Sequence, residues 1–120
     1  MNDSSGLVIY KIVTSEQWSS AQQQGEFLGA AIDLDDGFIH FSTGDQVQET
    51  VEKYFQGQLD LLIVAVDSDR LGQSLKWEPS RGGDLFPHLY GKLSLDAVIS
   101  VDDLPLGKGG AFIYPAELSD

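Results

Sequence analysis

The sequence predicts an α+β fold with a largely antiparallel or mixed β-sheet and two helices in its N-terminal half. Its 120 residues suffice for one hydrophobic core but not for two. Both segments with helical periodicity come early, and the later strand-like segments lie too close together for the crossover helices that a parallel sheet needs. We therefore expect a single domain over residues 1–120, with its core from about residue 7 to residue 114 and short polar ends.

A strand and a capped helix are predicted at the start of this core. Leu7–Val13 is rich in β-branched and aromatic residues, which favours a strand. Thr14 and Gln17 have the spacing of a capping box, in which each side chain bonds the backbone N–H of the other residue. Gly25 is placed to end this helix in the left-handed conformation.

A second strand is predicted at Gly37–Ser42, whose sequence is GFIHFS. The period of two residues in a strand places Phe38, His40 and Ser42 on one face. The preceding segment, residues 26–36, has a loose pattern and no assigned element.

The second helix and a central strand follow directly. Thr43 and Gln46 repeat the capping spacing, and apolar residues then recur at helical intervals until Gly57 ends the run. Leu59–Asp67 is nearly continuous aliphatic sequence, too short for a long helix, and this favours a strand covered on both faces.

The rest of the chain predicts strands separated by one long loop. Residues 68–91 mix turn signals with a possible strand at Ser74–Trp77, and their glycine and proline pairs indicate a functional loop. Ala97–Val101 and Phe112–Tyr114 complete the predicted strands.

Charge and composition exclude several classes of function. Seven Lys and Arg residues stand against nineteen Asp and Glu residues, a formal charge of -12 that repels nucleic acids and anionic membranes. The absence of cysteine excludes disulfides and thiolate zinc sites. No signal sequence or long apolar run is present, so we expect a cytoplasmic protein. We also expect no tightly bound metal, because cysteine is absent and the possible histidine and carboxylate ligands lie on different segments.

His40 and Ser42 are the first candidate site residues. They lie at the end of a predicted strand and just before a helix N-terminus, where side chains and free backbone N–H groups converge. His40 there suits a base, a donor or a ligand. The alternative is structural: His40 fills a gap and bonds a backbone carbonyl, and Ser42 helps to cap the helix.

The second candidate cluster is the segment KWEPSRGGDLFPHLYG, Lys76–Gly91. Arg81, followed by two glycines, suits the binding of a phosphate or carboxylate through its guanidinium and nearby backbone N–H groups. Glu78 and His88 suit general acid–base roles, and Tyr90 shares a face with His88 if the backbone is extended.

Structural alternatives apply to this cluster as well. Glu78 and Arg81 are spaced for an internal salt bridge, and His88 for a hydrogen bond that closes the loop. Together with His40, Glu78 and His88 form the set of two imidazoles and one carboxylate used in open metal sites, but they lack the helical spacing of such sites.

Three motifs together resemble one family: YKI at Tyr10–Ile12, GFIHFS at Gly37–Ser42 and the segment Lys76–Gly91. The sequence is similar to the bacterial domain of unknown function 952 from about Leu7 to Tyr114. The resemblance implies a split-sheet architecture similar to that of ADP-ribosyltransferases and RNA 2'-phosphotransferases. Those proteins bind NAD or its phosphate relatives between two sheets, and Lys11 most resembles their first-strand His or Arg.

These observations lead to two hypotheses. In the first, the protein is an enzyme or binding protein for an NAD-like, nucleotide or other anionic small molecule. Lys11, Ser42, Arg81 and Tyr90 bind the ligand in that hypothesis, while His40, Glu78 and His88 are its catalytic groups. In the second, the protein is a non-catalytic interaction module, and the same residues fasten a long loop onto the sheet.

Overall fold

The structure, a computed structural model, describes residues 7–80, 83–115 and 118. Within them, the helices are α1 (Ser15–Gln24), α2 (Ala31–Asp36) and α3 (Val47–Tyr54). The strands are β1 (Val8–Thr14), β2 (Glu26–Phe27), β3 (Ile39–His40), β4 (Ser42–Thr43), β5 (Leu61–Asp67), β6 (Leu75–Ser80), β7 (Asp84–Leu89), β8 (Leu93–Ser94) and β9 (Val98–Asp103). Short 3₁₀ turns occupy Ser68–Ser74, Leu95–Ala97 and Lys108–Gly110. None of the helices in this part of the chain has the length and apolar character needed to cross a membrane.

The strands form three sheets in the described part of the chain. The largest has the order β4-β1-β5-β9, the second pairs β2 with β8, and the third has the order β3-β7-β6. Every strand pairing among these residues is antiparallel. The predicted α+β class with mostly antiparallel sheets is therefore confirmed, and β5 is an inner strand as expected.

The first predicted strand and its capped helix are also confirmed. The Thr14 hydroxyl accepts a hydrogen bond from the Gln17 amide at 3.0 Å, and the Thr14 amide donates to Gln17 Oε1 at 2.9 Å. At the other end, Gly25 has a φ of 84° and its N–H donates to the Ala21 carbonyl. This conformation favours glycine because a Cβ would be strained there.

A third helix lies where the sequence analysis assigned no element. The prediction of only two helices was wrong because α2 has six residues and lacks an apolar stripe. Its one buried side chain is Asp33, which accepts a hydrogen bond from the Ala30 amide at 2.7 Å. The helix ends at Gly37, whose φ is 89°.

Most of the predicted long loop is instead a β-hairpin formed by β6 and β7, and the possible strand predicted at Ser74–Trp77 overlaps β6. β6 and β7 pair from Leu75 opposite Leu89 to Ser80 opposite Asp84. Pro87 has no N–H to donate, but its carbonyl accepts from the Phe41 amide at 3.0 Å. The glycine and proline signals were therefore misread, because cross-strand pairing accommodates this proline.

The predicted strand at Phe112–Tyr114 was wrong as well. Only a single bridge forms there, between Leu106 and Phe112. The intervening turn brings the Ile113 amide back to the Pro105 carbonyl at 2.8 Å, so the segment closes locally and extends no sheet.

Two hydrophobic clusters cover the two faces of the four-stranded sheet. One face packs against Trp18 and Ala21 of α1, and the other against Val47 and Val51 of α3. Alternate residues of β5 enter opposite clusters, which explains its nearly continuous aliphatic sequence.

The two larger sheets diverge at Phe41. The predicted strand GFIHFS is divided there into β3 and β4. His40 pairs with His88 in the three-stranded sheet, whereas Ser42 pairs with Tyr10 in the four-stranded sheet. The chain therefore passes from one sheet to the other within three residues.

The capping box of α1 should contribute measurably to stability. We expect Thr14→Ala to lower the free energy of unfolding by about 1 kcal/mol, because it removes the acceptor of the Gln17 amide. Urea denaturation followed by circular dichroism measures the change. Ser20→Ala, at an exposed position of the same helix, is the control and should cost nothing. Equal effects of the two variants would contradict the role of the cap.

Candidate functional site

A cleft of about 520 Å³ lies at the point where the two larger sheets diverge. Its wall includes four of the predicted site residues: Lys11, His40, Ser42 and His88. These residues come from β1, β3, β4 and β7, so both sheets contribute. The structure thus brings together side chains that are up to 77 positions apart in the sequence.

Lys11 and Asp33 form a buried ion pair beside the cleft. The Lys11 ammonium lies 3.0 Å from Asp33 Oδ1 and 2.9 Å from Asp33 Oδ2. Both residues are less than a tenth exposed. Lys11 was predicted to bind a ligand, and in this structure its charge is matched by a carboxylate of the protein itself.

The pKa values of this pair follow from burial and from the hydrogen bonds around it. Burial lowers the pKa of Lys11, and the charge and hydrogen bond of Asp33 oppose that effect. Burial alone would raise the pKa of Asp33. This effect of burial is outweighed by the hydrogen bond from His40, by the charge and hydrogen bond of Lys11 and by the Ala30 amide. Together they lower the pKa of Asp33 to about 2.

His40 lies between two carboxylates. Its Nδ1 is 2.6 Å from Asp33 Oδ1, and its Nε2 is 2.9 Å from Asp36 Oδ2. Its backbone amide also donates to Asp33 Oδ1 at 3.1 Å. Both ring nitrogens of His40 are thus in contact with carboxylates of the protein itself.

His88 has a different environment, although its ring lies close to that of His40. His88 Nδ1 is 2.8 Å from Glu78 Oε1, and the Tyr90 hydroxyl donates to the same oxygen at 2.8 Å. The hydrogen bonds from His88 and Tyr90 lower the pKa of Glu78, and the same bond to Glu78 raises the pKa of Tyr90. Glu78 therefore orients the His88 ring through Nδ1 and is itself held by Tyr90, and neither Glu78 nor Tyr90 is part of the cleft wall.

The Phe38 ring packs against this group of polar rings. Its centroid is 4.2 Å from that of His88, nearly parallel to it, and 4.6 Å from that of His40. The Tyr90 ring lies 5.1 Å away, and the two imidazole centroids are 5.5 Å apart. Phe38 thus packs against both imidazole rings.

Ser42 is buried and bonded within the protein. Its hydroxyl lies 3.1 Å from the Thr50 hydroxyl, which also donates to the Gln46 carbonyl at 3.2 Å. Gln46 Oε1 accepts from the Thr43 amide at 3.0 Å, but the Gln46 amide donates to the Thr43 carbonyl and not to its hydroxyl. The helix α3 begins at Val47, so the predicted helix start at Thr43 was wrong. Ser42 and Thr50 are both part of the cleft wall.

Arg81, the predicted anion-binding residue, lies outside the described residues. Its neighbour Ser80 is part of the cleft wall. In the described part of the chain, no three His, Asp or Glu side chains are grouped so as to hold a metal ion.

Sequence reasoning missed Asp33, Asp36 and Phe38 as members of the site. Asp33 and Asp36 lie in the segment that carried no assigned element, among the nineteen acidic residues of the chain. The one available signal was the spacing of Asp33 and Asp36 before Gly37, which is compatible with a helix end. Phe38 was placed on the face of His40, but its contact with His88 needs the pairing of β3 with β7.

The fold and the cleft define a class of small α+β protein with antiparallel sheets that diverge around a two-histidine cleft. Residues 12–101 match the family described as protein of unknown function (DUF952), which is about three-quarters of the chain. The chain therefore belongs to the DUF952 family, and the resemblance noted in its motifs is confirmed.

Solved structures of one relative have the same fold. The chain is 48% identical to protein CC0527 from Caulobacter crescentus in its crystal structure, with a TM-score of 0.88 over 92% of this chain and 97% of that one. It is 50% identical to CC0527 in its solution NMR structure, with a TM-score of 0.77 over 86% and 89% of the two chains. No curated protein matches the chain.

The buried pair should make Asp33 one of the most sensitive positions in the protein. We expect Asp33→Asn to lower the free energy of unfolding by about 3 kcal/mol, because it leaves the Lys11 charge buried without a counterion. Adding Lys11→Met should restore part of the loss. Chemical denaturation measures all three proteins, with Arg70→Ala as the control.

Arg70 pairs with Asp67 at 3.7 Å on the surface, where an ion pair contributes at most about 1 kcal/mol. A loss for Asp33→Asn as small as that for Arg70→Ala would contradict a structural role of the buried pair.

Acid should remove the contribution of Asp33 selectively. Its folded pKa of about 2 lies below its ordinary value of 3.8, so the stabilisation is complete above pH 4 and is lost as the pH falls through 2. The difference corresponds to ~2 kcal/mol. The difference in free energy of unfolding between the wild type and Asp33→Asn should therefore shrink by about that amount between pH 6 and pH 2. A constant gap would show that the charge of Asp33 is not what stabilises the fold.

Proposed function

We propose that the protein binds a nucleotide-like small molecule in the cleft and acts on it by proton transfer through His88. The observation that carries the proposal is the placement of this ring: His88 is part of the cleft wall and its Nδ1 lies 2.8 Å from the Glu78 carboxylate. A histidine oriented through one nitrogen by a carboxylate, with its ring in a cleft, is a recurrent arrangement of general bases.

The chemistry follows from the two ring nitrogens. With Nδ1–H donated to Glu78, the neutral ring carries its lone pair on Nε2, which has no hydrogen bond among the described residues. Nε2 can take a proton from a ligand hydroxyl or from water. The resulting imidazolium is stabilised by the Glu78 carboxylate, whose lowered pKa keeps it ionised.

The size and walls of the cleft support a nucleotide-like ligand. Its volume of about 520 Å³ is typical of small-molecule sites. Aromatic rings suited to stacking against a base form much of its wall: Tyr10, Phe41, Tyr54, Phe55 and Phe86. The divergence of the sheets also agrees with the proposed similarity to ADP-ribosyltransferases, and this similarity places NAD and ADP-ribose first among the ligands to test.

Arg81 completes the proposal as the residue that binds the ligand phosphate. It follows the cleft residue Ser80 in the sequence, and its guanidinium suits bidentate phosphate binding. A long nucleic acid would meet the whole surface with its charge of -12, whereas a mononucleotide meets only the local field. The proposed partner is therefore a small phosphorylated molecule in the cytoplasm.

One observation favours the alternative of a non-catalytic interaction module. Both nitrogens of His40 and both oxygens of Asp33 are bonded within the protein, as in a purely structural network. The same does not hold for His88 among the described residues, since its Nε2 has no such partner. His88 therefore distinguishes the two functions.

Ligands of the proposed class should stabilise the fold. At about 100 times the dissociation constant, a ligand that binds only the folded state adds ~2.7 kcal/mol, which appears as a raised melting temperature. We expect this for NAD, ADP-ribose or a mononucleotide, but not for long RNA or DNA. Arg81→Ala should weaken binding of the phosphorylated ligands at least about tenfold, because a charge-assisted bond is lost.

Lys108→Ala is the matched control, since Lys108 is an exposed cation that is not part of the cleft wall. Differential scanning fluorimetry with millimolar ligands tests the set. If no nucleotide shifts the melting curve, the nucleotide proposal fails and the interaction module replaces it.

A further inference from the structure

The charges around the cleft determine whether it can bind the phosphate of a nucleotide-like ligand. Lys11 is the only Lys or Arg among the described residues in the cleft wall, and its ammonium lies between the two oxygens of Asp33. A buried ammonium already matched by a carboxylate has little attraction left for a second anion. The described part of the cleft wall therefore offers no unmatched Lys or Arg charge to a phosphate.

The contacts of His40 reinforce this conclusion. Asp36, which is also part of the cleft wall, lies 2.9 Å from His40 Nε2. A phosphate that approached His40 would displace the Asp36 carboxylate from it and meet the negative charge of that carboxylate at close range. His40 is therefore closed to anions by its own partners.

The remaining wall of the cleft suits an uncharged ring. Phe41 and Phe86 are buried, Phe55 is half-buried, and Ile12 adds an aliphatic surface beside them. Apolar and aromatic walls favour a flat heterocycle, which gains both from the area removed from water and from offset stacking. The Thr50 hydroxyl, which bonds Ser42 and the Gln46 carbonyl, is also part of this wall.

We propose that the inner cleft recognises the uncharged heterocycle of a nucleoside and that the phosphate of a nucleotide lies outside it. This inference rests on the proposed function, since it states which end of the nucleotide-like ligand enters. Affinity therefore depends on the base and its ribose, and the phosphate adds to it without being required. The substrate class extends to unphosphorylated nucleosides, which the first panel of ligands omits.

The test compares ligand fragments on the intact protein. Adenosine, uridine, adenosine monophosphate, ribose 5-phosphate and inorganic phosphate are titrated separately by calorimetry and by ¹H–¹⁵N NMR. We expect at least one nucleoside to bind, and ribose 5-phosphate and inorganic phosphate to leave the cleft signals unchanged. The chemical-shift changes should include Thr50 and Phe55.

Two phenylalanine variants separate recognition from folding. Phe55 and Phe112 are both half-buried and pack against the same hydrophobic cluster, but only Phe55 is part of the cleft wall. Phe55→Leu should weaken nucleoside binding at least about tenfold through lost stacking, and Phe112→Leu should leave it within about twofold. Equal effects of the two variants on nucleoside affinity would contradict the proposal that the wall containing Phe55 binds the nucleoside.

Each remaining outcome has a distinct meaning. If inorganic phosphate or ribose 5-phosphate binds in the cleft while the nucleosides do not, the ligand is held through its phosphate. The present inference then fails, and the proposed nucleotide function stands. If adenosine monophosphate, NAD and ADP-ribose also fail to bind, the proposed function itself is wrong.

Discussion

The candidate site depends on the carboxylate of Asp33. Its two oxygens accept hydrogen bonds from the Lys11 ammonium of the four-stranded sheet and from the backbone and ring of His40 in the three-stranded sheet. A carboxylate this deeply buried is stable only with such donors, so the burial of Asp33 depends on both Lys11 and His40. Asp33 consequently joins the sheets at the place where they diverge, and it holds α2 against the cleft.

This one carboxylate also explains why the two histidines differ. His40 lies next to Asp33 and also contacts the carboxylate of the exposed Asp36, so both of its ring nitrogens have hydrogen-bond partners. His88 is one strand further away, where Glu78 reaches only Nδ1. Two rings whose centroids are 5.5 Å apart thus have different surroundings: His40 is bonded through both ring nitrogens, whereas His88 is bonded among the described residues through Nδ1 alone.

The parts of the fold that depend on neighbouring residues were predictable from the sequence. Spacing and periodicity within about ten residues predict the capping box of Thr14, a strand that includes Leu61–Asp67 and a helix that includes Val47–Tyr54. Asp33 was not predictable, because its role depends on Lys11, which lies 22 positions earlier in the sequence. The sequence of a six-residue helix does not show that its carboxylate is buried, because the burial depends on where that lysine lies in the fold.

The segment Lys76–Gly91 shows how strand pairing brings together residues that the sequence analysis placed in a loop. As a loop, it offered no reason for Glu78 to meet His88 ten residues later. In the hairpin, Glu78 lies opposite Phe86, so His88 is its diagonal neighbour on the same face of the sheet. The hairpin also pairs with β3 through β7, and this pairing places His88 opposite His40. The grouping of these side chains therefore depends on strand register, a long-range property that residue types in one segment do not specify.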